Sequence, residues 1–252
     1  LSFDRDRCAI FKSMTQSVSI LRACKAINTK KNGILTSQMF RVTPSLTNIE
    51  VSSSNGLLLP YKAMLTQNHR LPKIGSSANR RLLESLYERE RKVREVFLDS
   101  GDIIWIRTSG NYWYNAFEIQ PYKSSEIKKF RVSRKYKKIL LLIINSSLFY
   151  FWMRIYGDGR HLNLDILKDF PLPEEESILN NTEQIEELCI NFFESLYNVF
   201  DQKNNCFNSS RIKSEIDKID IFLARQIYKI SDEDLIRILN YDKEVRGGIS
   251  IS

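Results

Sequence analysis

Apolar residues recur at helical spacing along the last third of the chain. One stripe lies within residues 182–200 and consists of Ile185, Leu188, Phe192, Leu196 and Val199. A second stripe repeats at spacings of three and four and consists of Ile212, Ile216, Ile219, Leu223 and Ile227. Because residues three or four positions apart lie on one face of a helix, each stripe predicts an amphipathic helix. A third helix is predicted to begin at Ser231, with Asp234 three residues later in a capping arrangement.

The region before the aromatic-rich segment combines a helical pattern with a strand pattern. Four apolar residues at helical spacing predict a helix over residues 79–98: Leu82, Leu86, Val93 and Phe97. Residues 103–117 are rich in β-branched and aromatic residues, which predicts one or two strands. A turn is expected at Ser109-Gly110-Asn111, where the strand pattern is interrupted.

A long apolar run predicts a buried helix from about Lys138 to Ile155. Four adjacent aromatic residues, at positions 149–152, would point around every side of that helix, which is typical of a helix buried all round. Asn145, Ser146 and Ser147 interrupt the run, and it is shorter than the about 20 apolar residues that a bilayer span needs. We therefore expect a core helix and no membrane association.

Short strand patterns predominate in the first part of the chain. Residues 17–21 form a short apolar run, residues 39–43 alternate before Pro44, and Asn32-Gly33 and Asn55-Gly56 are turn signals. The predicted fold class is α/β of the mixed α+β type, with strand-containing N-terminal and central parts and a helical C-terminal third.

The distribution of charge divides the chain into a basic body and an acidic end. Residues 1–69 hold 9 Lys and Arg against 3 Asp and Glu, residues 70–140 hold 17 against 8, and residues 141–252 hold 12 against 19. Clustered positive charge is the electrostatic footprint of a nucleic-acid binder. A solvated, lysine-rich surface would have the same composition, so charge alone leaves both interpretations open.

Candidate metal and catalytic motifs are missing. The four cysteines (Cys8, Cys24, Cys189 and Cys206) have no CxxC spacing, and with only two histidines no zinc pattern can be assembled. No phosphate-binding glycine motif, GxSxG or HExxH sequence occurs. No signal peptide is visible, so we expect free thiols, a cytoplasmic location, no metal and no catalytic residue in this chain.

The stretch from Ile144 to Pro173, INSSLFYFWMRIYGDGRHLNLDILKDFPLP, resembles the C-terminal region of adenine-specific DNA methyltransferases of type II and type IIG restriction–modification and phage-defence systems. In that family an "NSsLFyww" helix leads into a "DxRHlN" turn and an "FPiP" segment. The matching positions here are Asn145, Ser146, Ser147, Leu148, Phe149, Asp158, Arg160, His161, Asn163, Asp165, Ile166, Phe170 and Pro171. The ending from Ile216 to Arg246 is similar to the family's terminal helical pair.

The likeness extends to other parts of the chain. Residues 1–25 resemble the last strands of the catalytic domain, and Leu71–Gly75 and Trp105–Phe117 resemble the entry to the target-recognition domain. The resemblance implies three segments: the end of a catalytic domain (1–75), a DNA target-recognition domain (76–173) and C-terminal helices (174–252).

The motifs for methyl transfer do not occur in this chain. The family binds S-adenosylmethionine through a glycine motif and holds the flipped adenine with an Asn/Asp-Pro-Pro-aromatic motif, and neither is present. We therefore expect a C-terminal piece or a split subunit, whose partners are double-stranded DNA and the methyltransferase catalytic domain or subunit. S-adenosylmethionine would belong to the full enzyme, with no cofactor in this chain.

DNA contacts are expected from the turn that follows Arg107 and from the basic stretch behind it. Arg pairs well with guanine and Asn with adenine, whereas Lys and Arg on phosphates set position. The predicted DNA-binding residues are Arg107, Asn111, Tyr112, Tyr114, Asn115, Lys123, Lys128, Lys129, Arg131, Arg134, Lys135, Lys137 and Arg160. Core or hairpin packing by the aromatic residues at 112–114 is an alternative. Arg160 and His161 are expected first to tie their turn to neighbouring carbonyls or carboxylates, with a DNA-backbone contact by Arg160 as the alternative.

A second class of function remains open. The acidic C-terminal helices could dock a protein partner, which would make the chain an interaction or scaffolding module with an incidental basic body.

Overall fold

The computed structural model describes residues 70–109, 116–158 and 160–241, together with five short strands nearer the N-terminus. These strands are β1 (Ser2–Phe3), β2 (Val18–Ser19), β3 (Gly33–Thr36), β4 (Met39–Phe40) and β5 (Leu57–Pro60). β1 pairs antiparallel with β2 and parallel with β4, and β3 pairs antiparallel with β5. The predicted strands at residues 17–21 and 39–43 correspond to β2 and β4.

A three-stranded antiparallel sheet occupies the centre of the described region. β6 (Phe97–Arg107) lies between β7 (Ala116–Phe117) and β8 (Ile127–Val132). The register runs from Asp102 opposite Val132 to Arg107 opposite Ile127. Phe97 is also opposite Val132, so residues 98–101 bulge out between two pairings with the same residue.

Helix α1 is shorter than its apolar pattern predicts. It spans Ser77–Tyr87, and the prediction of a helix continuing to residue 98 is wrong: Val93–Val96 is a 3₁₀ turn, and β6 follows directly. The backbone N–H of Val93 donates to the Phe170 carbonyl at 2.9 Å, and that of Leu172 donates to the Arg91 carbonyl at 2.9 Å. These long-range bonds satisfy backbone groups that a continued helix would have used.

The predicted long buried helix is two helices. α2 (Lys137–Ile144) and α3 (Ser147–Tyr156) meet at Asn145, whose side-chain amide donates to the carbonyl of Leu141 at 2.8 Å. Ser146 then caps α3 by accepting from the Phe149 N–H at 3.1 Å. Such side chain to backbone bonds compete with helix continuation. Every residue of α3 is buried, which confirms the interpretation of the aromatic row.

The C-terminal third is helical, as predicted. It contains α4 (Leu164–Lys168), α5 (Glu175–Leu179), α6 (Thr182–Asn198), α7 (Lys213–Phe222) and α8 (Asp232–Asn240), with a short hairpin of β9 (Phe200–Asp201) and β10 (Cys206–Phe207) between α6 and α7. The Ser231 hydroxyl accepts from the Asp234 N–H at 3.2 Å and caps α8. The mixed α+β class is thus confirmed.

One hydrophobic core runs through both the sheet and the C-terminal helices. Tyr228 directly follows the π turn (Leu223–Ile227) that continues α7. It donates its hydroxyl hydrogen to the Pro171 carbonyl at 2.9 Å and packs its ring against Phe170. Residues on both sides of position 173 therefore share this core.

Within the described ranges, no single helix has the length and apolar character to cross a membrane; Arg134–Ile144 and Ser147–Tyr156 meet those criteria only together, across a 74° bend.

Candidate nucleic-acid interface

The two faces of strand β6 differ in burial. Ile104 and Ile106 are fully buried and belong to the core. Ile103, Trp105 and Arg107 alternate with them and are only half-buried. Successive side chains on a strand point to opposite faces, so these three residues define an outer face of the central sheet. That face is partly open to solvent.

Two cations of β8 lie on this outer face. Lys129 is directly opposite Trp105, and Arg131 is directly opposite Ile103. Residues opposite each other in an antiparallel pair project to the same side of the sheet. Both cations are exposed, so a tryptophan and an isoleucine are bordered by positive charge.

An open groove of about 520 Å³ adjoins the outer face at the bulged end of β6. Its lining combines three apolar and four charged residues: Phe97, Leu98, Phe130, Asp99, Lys129, Arg131 and Lys168. The rings of Phe97 and Phe130 meet edge to face, with their centroids 5.6 Å apart. Three cations and one carboxylate thus surround an aromatic pair. This arrangement offers stacking or apolar contact together with salt links to an anion.

The bulge beside this groove depends on Gly101. Its φ of +145° is a backbone conformation that residues other than glycine rarely adopt. A Cβ at this position would lie 2.5 Å from the Val132 carbonyl oxygen. The Arg131 guanidinium donates to the Gly101 carbonyl at 3.3 Å. These contacts hold the bulge against β8, and they leave the Leu98 side chain exposed.

Lys168 enters the groove from α4, whose position is fixed by the neighbouring residue. Arg94, in the 3₁₀ turn before β6, forms an ion pair with the buried carboxylate of Asp169. This contact holds the end of α4 against the start of β6. Lys168 was not predicted as a DNA-binding residue, because only the tertiary structure brings it to the basic stretch some forty positions earlier.

The cations of the predicted basic stretch fall into two groups. Lys135 forms an ion pair with Glu175, and Lys137 lies 4.0 Å from the Asp102 carboxylate. Within the described part of the chain, the remaining exposed cations have no carboxylate within ion-pair distance: Lys123, Lys128, Lys129, Arg131 and Arg134. The second group is therefore available to pair with an external anion.

Arg107 lies at the end of β6 that leads into the predicted recognition turn. Its guanidinium Nε is buried without a hydrogen-bond acceptor among the described residues. Burial of the neighbouring Tyr122 raises the pKa of that phenol, and the positive charge of Arg107 opposes this shift. Four other predicted DNA-binding residues, Asn111, Tyr112, Tyr114 and Asn115, lie outside the described residues.

The Asp158 side chain holds the turn from Asp158 to His161 together by hydrogen bonds. One Asp158 oxygen accepts from the backbone N–H groups of Arg160 and His161, both at 2.8 Å, and the other is 2.8 Å from His161 Nδ1. The Leu162 N–H donates to the Thr108 carbonyl at 2.9 Å, which joins the turn to the end of β6. His161 thus binds a neighbouring carboxylate, as its structural interpretation predicted. The half-buried Arg160 side chain remains a predicted DNA contact.

A second group of cations lies next to this turn. Lys73 donates its ammonium hydrogen to the Gly157 carbonyl at 2.6 Å. Burial and, to a smaller extent, the positive charge of Arg154 lower the pKa of Lys73 to about 8, against the opposing effect of the Asp158 carboxylate.

Among the residues with described positions, no cluster of three or more His, Cys, Asp or Glu side chains could hold a metal ion. Comparisons of the chain with protein-family models, with curated proteins and with solved structures found no match to any of them.

Proposed function

We propose that this chain is a sequence-specific, double-stranded DNA recognition module of an N6-adenine DNA methyltransferase. The observation that carries the proposal is the concentration of unpaired cations along β8 and the adjoining groove, around Trp105, Phe97 and Phe130. A row of cations on a sheet edge matches the phosphates of a nucleic-acid backbone, and the adjacent apolar surface contacts sugars and bases.

In this proposal, phosphate contacts and base contacts come from different parts of the sheet. Lys129 and Arg131 bind phosphates from the outer face of β8, Lys128 from the opposite face of this edge strand, and Arg134 just after it; together they fix the register of the module on the duplex. Arg107 and the asparagines of the segment that follows it contact base edges in this proposal. Sequence discrimination depends on this second set of contacts.

The proposed partner is a methyltransferase catalytic domain or subunit. It would supply S-adenosylmethionine binding and the motif that holds the target adenine, which this chain's sequence does not contain. The recognition module then determines which adenine is presented. The proposed setting is the cytoplasm, as part of a restriction–modification or phage-defence system.

The direct test compares binding of the full chain to duplex DNA, single-stranded DNA and RNA of the same sequence. Fluorescence anisotropy at fixed salt gives the three affinities, and selection from a random duplex library gives the preferred site. We expect tightest binding to duplex and enrichment of one short sequence. Equal affinity for all three nucleic acids, with no enriched sequence, would contradict a recognition module.

One observation favours the alternative of a protein-docking module. The outward face of α6 carries an exposed isoleucine, Ile190, among exposed carboxylates: Glu183, Glu186, Glu187 and Glu194. An apolar residue within an acidic face fits a basic, partly apolar partner surface. If the Lys129→Ala, Arg131→Ala variant loses duplex binding while Ile190→Glu binds normally, DNA recognition is favoured. If Ile190→Glu loses a partner in a pull-down while the Lys129→Ala, Arg131→Ala variant retains it, docking is favoured.

A further inference from the structure

Leu98 combines solvent exposure with a position among cations. Its side chain is 46% exposed, and it borders the groove that also contains Lys129, Arg131 and Lys168. Single exposed leucines are common on protein surfaces and need no explanation by themselves. This one is different because three cations and one carboxylate, Asp99, line the same groove, and the net positive charge attracts a polyanion to the surface beside it.

The segment that presents Leu98 is held at both ends. Phe97 and Asp102 are both paired with Val132, so the intervening residues must project away from the sheet. Gly101 permits the close approach to the Val132 carbonyl, and the Arg131 guanidinium donates to the Gly101 carbonyl at 3.3 Å. A leucine presented in this way loses little conformational freedom when it enters a confined site.

We infer that Leu98 is a wedge that inserts between adjacent base pairs of duplex DNA. The inference rests on the proposed DNA-binding function and specifies how that surface engages the duplex. The three cations hold the phosphates that flank one base step, while the leucine side chain partly unstacks that step. Apolar wedges of this size kink DNA by opening a base step, and they act where stacking is weakest.

The test uses two short duplexes that differ at one base only: one is fully paired, and the other has a central mismatch that weakens stacking. For the wild-type chain we expect about tenfold tighter binding to the mismatched duplex, because less stacking must be broken. Leu98→Ala should bind the two duplexes equally, with an unchanged dependence on salt. Leu98→Phe, which retains a large apolar side chain, should restore the preference.

Leu179→Ala is the matched control, since Leu179 is also exposed but lies in the acidic helix α5. It should keep the wild-type preference. The wedge would be overturned, with DNA recognition left intact, if the wild type bound both duplexes equally in a salt-dependent way. It would also be overturned if the Leu98→Ala variant kept the preference for the mismatched duplex. Absence of salt-dependent binding to either duplex would overturn the proposed function, and the wedge with it. Circular dichroism of each variant verifies that the fold is retained.

Discussion

Removing the three cations of the groove should weaken DNA binding in a way that salt dependence can quantify. The perturbation is the triple variant Lys129→Ala, Arg131→Ala, Lys168→Ala. These side chains are exposed or half-buried and have no carboxylate partner in the described structure, so their replacement removes charge without breaking an ion pair. Arg131→Ala also removes the guanidinium hydrogen bond to the Gly101 carbonyl, so circular dichroism must verify that the fold persists while the positive potential of the groove falls.

The expected magnitude follows from the number of free cations. Six such side chains lie on or next to β8: Lys123, Lys128, Lys129, Arg131, Arg134 and Lys168. If each neutralises one phosphate, the slope of log K against log salt is about −5.4. Between 50 and 200 mM salt, the wild type would lose about 2,000-fold in affinity, whereas the triple variant, with a slope of about −2.7, would lose about 40-fold.

Anisotropy titrations of a labelled duplex at several salt concentrations measure both slopes. Lys135→Ala is the matched control, because its charge is already neutralised by Glu175 and its loss should leave the slope unchanged. A wild-type slope of about −1 or shallower would refute the reasoning, since few phosphates would then be neutralised. An equal slope in the wild type and the triple variant would show that DNA binds elsewhere on the chain.

Three further predictions concern stability. Gly101→Ala should lower the free energy of unfolding by about 2–3 kcal/mol in urea titrations, because of its positive φ and the 2.5 Å approach to the Val132 oxygen, whereas Ser100→Ala next to it should have little effect. Asn145→Ala should cost about 2 kcal/mol, because the buried carbonyls of Ala116 and Leu141 lose their amide donor. Burial raises the pKa of the Cys189 thiol to about 12, so the stabilisation from this buried thiol is full below the ordinary thiol pKa and is lost as pH rises toward 12. The urea midpoint of Cys189→Ala should therefore decrease less than that of the wild type at alkaline pH. An equal decrease in both proteins would contradict the burial effect.

The helices of the C-terminal third were predictable because their signals are local. Burial of one stripe imposes a period on the sequence, and the hydroxyl of Ser231 caps α8 within three residues of its own position. The end of α1 was not predictable in this way. The acceptor that removes Val93 from the helix, the Phe170 carbonyl, is nearly eighty residues away. Apolar spacing continued through residue 97, but long-range hydrogen bonds determined the backbone.

The candidate site shows the same division between local and long-range information. Composition alone indicated a basic stretch at residues 123–138. Whether a given cation is free depends on partners far along the chain, as for Lys135 and Glu175. Lys168 and Leu98 joined the site only through the packing of α4 and the bulge of β6. Sequence reasoning therefore located the positive charge but not the groove.

The acidic C-terminal third pairs with several cations of the basic body and, among the described residues, leaves those of β8 without a carboxylate partner. Cations that border it are paired with it: Arg81 with Glu233, Arg94 with Asp169, and Lys135 with Glu175. Lys129 and Arg131 have no such neighbour, because β8 is an edge strand whose outer face the helices leave open. Exposed ion pairs add little stability, but they cancel potential over the surface that they cover. The net effect is to concentrate attraction for a polyanion on β8 and the Leu98 groove.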